Sequence, residues 1–457
     1  MSAFSSKTAT FASLPPPWPH DLMPVIREQL AKRAAKVVVL DDDPTGTQTV
    51  HDIPVLTEWS LERLKLALSE NGPGFYILTN SRAFTTAEAC RINREIGERL
   101  QTAAAATKSE FVCISRSDST LRGHFPDEVT ALSGETPLLL CPYFEAGGRY
   151  TIGDVHYVAE GDQLVPAGET PFAKDATFGF KASNLRDWVV EKSKGTITPD
   201  RIRSLSLDDI RQKGPEAIAE QLMLANGMVC IANAACQRDM EVVVLAQIMA
   251  ESRGQRLMGR TAASYVATRM GLAPRPLLGG HDLARDVPGG GLIVVGSYVP
   301  KTTEQLQHLL DGSSIERVEL NVQSLNESAA ITQRVDALLS AGKDVVLYTS
   351  RQLVTGADAD ASLRFGQSVS ATLVRMVSAL KTSPRFFIAK GGITSSDLAT
   401  RALGVKRALV RGQILPGIPV WQLGEESRFP GMNYVVFPGN VGGADALLHA
   451  YQKLTAS

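Results

Sequence analysis

Short apolar runs rich in valine, isoleucine and phenylalanine recur along the chain, with helically periodic stretches between them. In the first half the runs are "KVVVL", "FYILT", "FVCIS", "LLLC" and "MVCIA". This alternation predicts parallel sheets covered by helices. Between the second and third runs, "TTAEACRINREIGERL" places Ala89, Ile92, Ile96 and Leu100 on one stripe, while Thr85 and Glu88 have capping-box spacing, so a helix is expected to start there. From Tyr150 to about Lys194 the pattern breaks into glycine, aromatic and charged residues, which predicts a long excursion over a site rather than more sheet. A second series, "LIVVG", "RVELNV", "VVLYTS", "RFFIAKGG" and "YVVFPGN", follows the Gly- and Pro-rich "LLGGHDLARDVPGGG". That stretch marks a domain boundary near residue 280. The expected fold is α/β: two α/β domains with mainly parallel sheets and a cleft between them, residues 36–280 and 281–457, preceded by an N-terminal arm over 1–35.

Composition narrows the function classes. At 457 residues, 44% hydrophobic and 21% charged, the chain can bury a substantial core, and 47 basic against 48 acidic residues ask for neither nucleic acid nor an anionic membrane as a partner. No apolar run reaches bilayer length and the N-terminus lacks an apolar signal region, so a cytoplasmic protein is expected. The five cysteines lack CxxC spacing and mostly sit in apolar segments, as core thiols of a reducing compartment do. The Pro15 to Pro19 stretch reads as an extended arm or a poorly ordered lead-in, without chemistry.

In parallel α/β sheets ligands bind beyond the carboxyl ends of strands, which directs attention to the polar residues after each apolar run. "VVVLDDDPTGTQTV" sets Asp41, Asp42 and Asp43 against a buried strand, where like charges repel and lose solvation unless cations or donors meet them. The plain alternative is an acidic turn made by Pro44 and Gly46, with Asp43 as a cap. After "FYIL" come Ser81 and Arg82. After "FVCI", "SRSDSTLRGHFPDE" packs Arg116, Asp118, Ser119, Thr120, Arg122 and His124 into one short segment. Arg116 and Arg122 can hold a carboxylate or phosphate in forked hydrogen bonds, and Asp118 is placed to take a proton from a hydroxyl. An anionic, hydroxylated substrate suits this combination; capping residues and surface ion pairs are the structural alternative. His124, beside Phe125, carries less weight, because a lone histidine is more often packed than catalytic.

The second half offers backbone features. Gly391 and Gly392 follow a strand, with Ile393, Thr394, Ser395 and Ser396 at the start of a helix, where free N–H groups and the helix dipole can hold phosphate. Gly439, Asn440, Gly442 and Gly443 repeat that arrangement, and Ser297 and Lys301 follow a third strand. Any one such turn is weak, since glycine also serves ordinary strand-to-helix turns. The P-loop, GxGxxG and GxSxG motifs are absent, and His and Cys show no zinc-ligand spacing.

Two families share parts of this pattern. Asp41, Asp43 and Thr45 spell DxDxT after a hydrophobic strand, which resembles the first motif of haloacid-dehalogenase-like phosphatases, and "FYILTN" imitates their second, but the later set of a Lys followed by a Gly-Asp pair with a further acidic residue does not complete it. The motifs together resemble the four-carbon acid sugar kinases, once a family of unknown function. "DDPTG", Asp42 to Gly46, matches that family's Ala-Asp-Asp-x-Thr-Gly opening; Ser81 and Arg82 match its Ser-Arg pair; "RSDSTLRG" matches its Lys-x-Asp-Ser-Thr-Leu-Arg-Gly segment. "CPYFEAGGRYTIGDVHYV" and "PFAKDATF" resemble its connector and following loop, and "GSYVPKTTEQL", "KGGITSS" and "PGNVGG" its nucleotide-binding segments.

The resemblance covers roughly residues 36–450. It implies an ATP- and Mg²⁺-dependent kinase acting on the terminal 4-hydroxyl of threonate, erythronate or an oxo-tetronate. The first domain would bind the acid through Asp42, Thr45, Gly46, Ser81, Arg82, Arg116, Ser119 and His124, with Asp43, Asp118 and Arg122 in catalytic roles. The second would hold ATP through Ser297, Lys301, the Gly391–Ser395 turn and Gly439, Asn440, Gly442 and Gly443. Asp41 stands where the family has a small residue and Arg116 where it has lysine, which puts the identity of the acid in question. A phosphatase and a non-catalytic sugar-acid sensor are the alternatives, and a homodimer is one expected assembly.

Overall fold

The computed structural model describes residues 5–33, 35–134, 136–283, 285, 287–297, 299–351 and 359–456, with the side chains of 359–364 excepted. Tyr298 of the "GSYVPK" segment and the first four residues of the arm lie outside them. The chain forms two compact units, one of residues 1–46 with 58–273, the other of 47–57 with 274–457.

The first unit is built on seven parallel strands in the order Ile202–Leu205, Val229–Ala232, Leu138–Cys141, Met258–Thr261, Phe111–Arg116, Lys36–Asp41 and Gly74–Leu78. Helices cover both faces of such a sheet, which is why its strands read as unbroken apolar runs. Register aligns the strand ends: Asp41 is opposite both Leu78 and Arg116, and Arg116 is opposite Thr261. The expected helix runs Thr86–Thr107; Thr85 caps it by accepting from the Glu88 N–H, and Ala89, Ile92, Ile96 and Leu100 face inward.

One expectation is revised. The stretch after Tyr150 builds sheet of its own, an antiparallel meander of Arg149–Ile152, Val155–Glu160 and Gln163–Pro166. Its alternating burial is that of a sheet with one covered face, a weaker signal than a continuous apolar run. The arm adds Ser5–Ser6 to its edge, and Asp162 accepts from Ser6 and Thr8. The Pro-rich stretch docks as well, with the Pro15 carbonyl accepting from Arg211 and the Trp18 ring filling the space beside Gly214.

In the second unit, Asn433–Phe437, Phe387–Lys390, Leu292–Val295, Val345–Thr349 and Glu316–Leu320 run parallel in that order. Ile418–Leu423, Arg407–Leu415 and Ile53–Leu56 extend the Asn433 edge as antiparallel strands. The five cysteines are free, and no helix is long and apolar enough to cross a membrane among the described residues.

Candidate functional site

At the carboxyl edge of the first sheet, the strand Lys36–Asp41 passes into the turn Pro44–Thr47, so three carboxylates leave the sheet in succession. Their directions differ. Asp41, 1% exposed, folds back beneath the turn, accepts from the Asp43 N–H at 3.3 Å and lies 3.6 Å from Arg116 Nη1. A phosphatase of the DxDxT kind needs that carboxylate open as a nucleophile, which this burial denies it. Asp43 accepts from the N–H and hydroxyl of Thr45, at 2.8 and 2.5 Å. Asp42, 3% exposed, has neither carboxylate oxygen in a hydrogen bond.

Arg82 gathers the group. It sits on the short turn Ser81–Ala83, which Asn80 enters in the left-handed region at φ 53°, a conformation asparagine tolerates. Its guanidinium lies 2.6 Å from Asp43, 3.3 Å from Asp42 and 4.0 Å from Asp118. Asp118 also accepts from Arg122 Nε at 2.7 Å and from the Thr120 hydroxyl. The loop between them carries Leu121 at φ 73°, and its side chain is buried in the core with Phe125 and Val129. A leucine in that region costs on the order of 1 kcal/mol or more, and core packing holds it there.

The protonation states separate the carboxylates. Burial alone would raise all of them, but Arg82 and Arg122 hold Asp118 far below the usual carboxylate range, and Arg82 with Thr45 holds Asp43 below it. For Asp42 burial wins over Arg82, aided by repulsion from Glu128, and its pKa is pushed up to about 6. Burial also raises Asp41, against the pull of Arg116. The cluster therefore sets two firmly ionised carboxylates, Asp43 and Asp118, beside two that hold a proton more readily, Asp41 and Asp42.

The remaining expected residues fall around this centre. Ser81 donates to Glu128 at 3.2 Å. His124 points Nε2 at the Ser81 carbonyl, 3.1 Å, and Nδ1 at the Thr86 hydroxyl, 3.0 Å. Both ring nitrogens are spent and burial lowers its pKa, so it is a neutral brace for the Arg82 turn. Arg116 is buried and serves Asp41 and Asp42. The carbonyl of Ser119 accepts from His156 at 2.8 Å.

Sequence reasoning missed Arg260, Glu128, Arg149 and Asp175. Arg260, 1% exposed, lies against the stacked Phe125 and Trp188 rings, 5.2 Å from each centroid, and its field offsets the buried charge of Glu128. A charged residue inside the strand "MGRT" was the available signal. Arg122 stacks on Phe172 at 5.2 Å and reaches Asp175 at 3.6 Å; Arg149 stacks on the same ring at 5.7 Å.

In the second unit three turns converge because their strands are neighbours. A β-carbon on Gly391, whose φ is 117°, would lie 3.0 Å from Ser297 Cβ, and one on Gly439 would lie 3.6 Å from Ser297 Oγ. Thr302 donates to the Gly439 carbonyl at 3.1 Å, and Gln305 donates to the Val441 and Gly443 carbonyls at 3.0 and 2.8 Å. Arg351 holds the Ser297 carbonyl at 2.6 Å. Gly392–Asp397 is helical as expected; Ile393 is 67% exposed at its start, while the Ser395 hydroxyl is spent on the Ala389 carbonyl. Thr394 Oγ1 lies 3.3 Å from the β-carbon position of Gly391, at the mouth of the same turn. Lys301 pairs with Glu304 at 3.4 Å, and Asn440, Gly442 and Gly443 are exposed. Glycine turns that leave backbone close to a ligand, braced from behind by side chains, fit a polyphosphate.

The chain thus combines an α/β unit that carries a cation-and-carboxylate cluster with a second that carries braced glycine turns. Residues 37–269 match a family described as "Sugar-binding N-terminal domain", and residues 292–447 one described as "Nucleotide-binding C-terminal domain". The chain belongs to the four-carbon acid sugar kinase family. It is 24% identical over 394 residues to D-threonate kinase of Cupriavidus necator, covering 83% of this chain and 87% of that one. The crystal structure of a Haemophilus influenzae protein of family DUF1537 superposes with a TM-score of 0.62 at 18% identity, covering 91% of this chain and 100% of that one. One described as a putative tRNA synthase from Salmonella typhimurium LT2 superposes with a TM-score of 0.68 at 14% identity, covering 92% and 100%. Both show the fold.

Proposed function

We propose that the protein is an ATP-dependent kinase that phosphorylates the 4-hydroxyl of a four-carbon sugar acid: threonate, erythronate or an oxo-tetronate. One observation carries the reading, the Arg82 guanidinium shared among Asp42, Asp43 and Asp118 at the sheet edge. It places donors for a carboxylate and ionised acceptors for hydroxyls in one cluster, and the similarity to a D-threonate kinase supports the same acceptor class. Asp43 or Asp118 orients and deprotonates the attacking hydroxyl; Arg82 and Arg122 hold the substrate carboxylate or the transferring group, and Arg116 acts through Asp41 and Asp42. Ser297 and the turns at Gly391 and Gly439 hold the nucleotide. Bound with magnesium, ATP supplies the phosphoryl group and the neutralising charge that this transfer asks for.

An ATP-coupled screen over the four-carbon acids and their oxo forms tests it. Turnover with one of them is the expected result. Phosphate release from sugar phosphates without nucleotide would identify a phosphatase, and thermal stabilisation by an acid without turnover would identify a sensor.

A further inference from the structure

Lys390 ends the strand Phe387–Lys390 and is fully buried, and its ammonium has no carboxylate partner among the described residues. Nζ donates to the carbonyls of Pro438 and Gly439, at 2.6 and 3.1 Å, and lies 4.2 Å from the Phe437 ring centroid. Both carbonyls belong to the glycine turn that abuts Ser297. A buried charge without a counter-ion is costly, and an apolar side chain of similar length would fill the same space without that cost. The chain keeps the amine where the turn expected to meet phosphate is shaped.

We propose that Lys390 is a positioning residue for the nucleotide: it pins the Pro438–Gly439 turn, and the anionic phosphates supply the counter-charge that its buried amine lacks. The inference rests on the nucleotide reading of the second unit given above.

The surroundings suit that change. On the adjoining elements, Leu292–Val295 contributes no titratable group, and Asn433–Phe437 contributes Tyr434, whose hydroxyl donates to the Ser395 carbonyl at 2.7 Å. The helix Gly392–Asp397 contributes Asp397, held by the Ser370 hydroxyl and, at 3.5 Å, by Arg401. Pro300–Gly312 contributes Lys301, with Glu304 as its partner, and Arg351 is committed to the Ser297 and Thr349 carbonyls. Burial first, then repulsion from Lys301, brings the Lys390 pKa down to about 7. A polyanion nearby raises it again, so above neutrality binding takes up a proton, and affinity weakens as pH rises.

The test is calorimetric titration of MgADP into the full chain at about pH 8, in buffers of different ionisation enthalpy; a proton taken up by an amine of ordinary-to-depressed pKa then appears as a buffer-dependent heat. Wild type is expected to take up most of one proton. Lys390→Arg, whose charge never leaves, is expected to bind without uptake, and Lys390→Met to bind about tenfold or more weakly without uptake. Binding by wild type with no proton uptake overturns the proposal without any variant, as does Lys390→Met with wild-type affinity and uptake, and either result leaves the nucleotide site standing. Failure of wild type to bind MgADP at all overturns both readings.

Discussion

The Asp41 carboxylate fills the space that a side chain on Gly46 would need: a β-carbon there would lie 2.0 Å from Asp41 Oδ2. The acidic turn is thus closed over its own first carboxylate, which Arg116 holds from the neighbouring strand. Gly46→Ala is expected to destabilise the fold by about 1–3 kcal/mol, as overpacking of a filled site does. Urea denaturation checks this, and wild-type stability in the variant would show that Asp41 moves freely.

Asp42 gives a pH dependence of known sign. Its folded pKa of about 6 lies above the unfolded value of about 4, so the folded state holds the proton more tightly. The ionised form therefore costs stability in full above about pH 6, and the cost vanishes below about pH 4. Asp42→Asn is expected to raise stability at pH 7 by up to about 3 kcal/mol, with the gain shrinking as pH falls, while turnover drops. Unfolding curves at pH 7 and 4.5 decide it; an equal gain at both would contradict the assignment.

For catalysis, Asp43→Asn or Asp118→Asn is expected to lower kcat by about 10²- to 10⁴-fold, the usual contribution of a positioned base. Both variants turning over near the wild-type rate while folded would remove the base from this pair. Because Arg82 and Arg122 keep Asp118 ionised far into the acid range, its loss of charge contributes no acid limb to the kcat profile between pH 6 and 8.

The two units should fail separately. Gly391→Ala places a β-carbon 3.0 Å from Ser297 at a φ of 117°, and is expected to abolish MgADP binding. Arg122→Ala should leave MgADP binding intact and raise KM for the acid about tenfold to a hundredfold, the loss of a charged hydrogen-bonding partner. Calorimetry on each variant reads the two effects independently.

What the chain could reveal by itself was local. Runs such as "VVVL" and "LLLC" specify strands because burial on both faces leaves no polar position in them, and the Ala89–Leu100 stripe with its Thr85 cap specifies a helix. Asp42, Asp43, Arg82 and Asp118 could be singled out as candidates because each follows such a run within a few residues. Tertiary structure decided the rest. Arg260 is buried because Phe125, Trp188 and Glu128, distant in sequence, close around it, and "MGRT" is too short and polar to announce a central strand. The antiparallel pair Arg407–Leu415 and Ile418–Leu423 lacks the helix-interrupted rhythm that marks parallel strands. Whether three adjacent aspartates were a site or a solvated turn depended on what stood opposite them. Arg82, just past one neighbouring strand, meets Asp42 and Asp43, Arg116, at the end of the other, meets Asp41, and Gly46 leaves the room in which Asp41 is hidden.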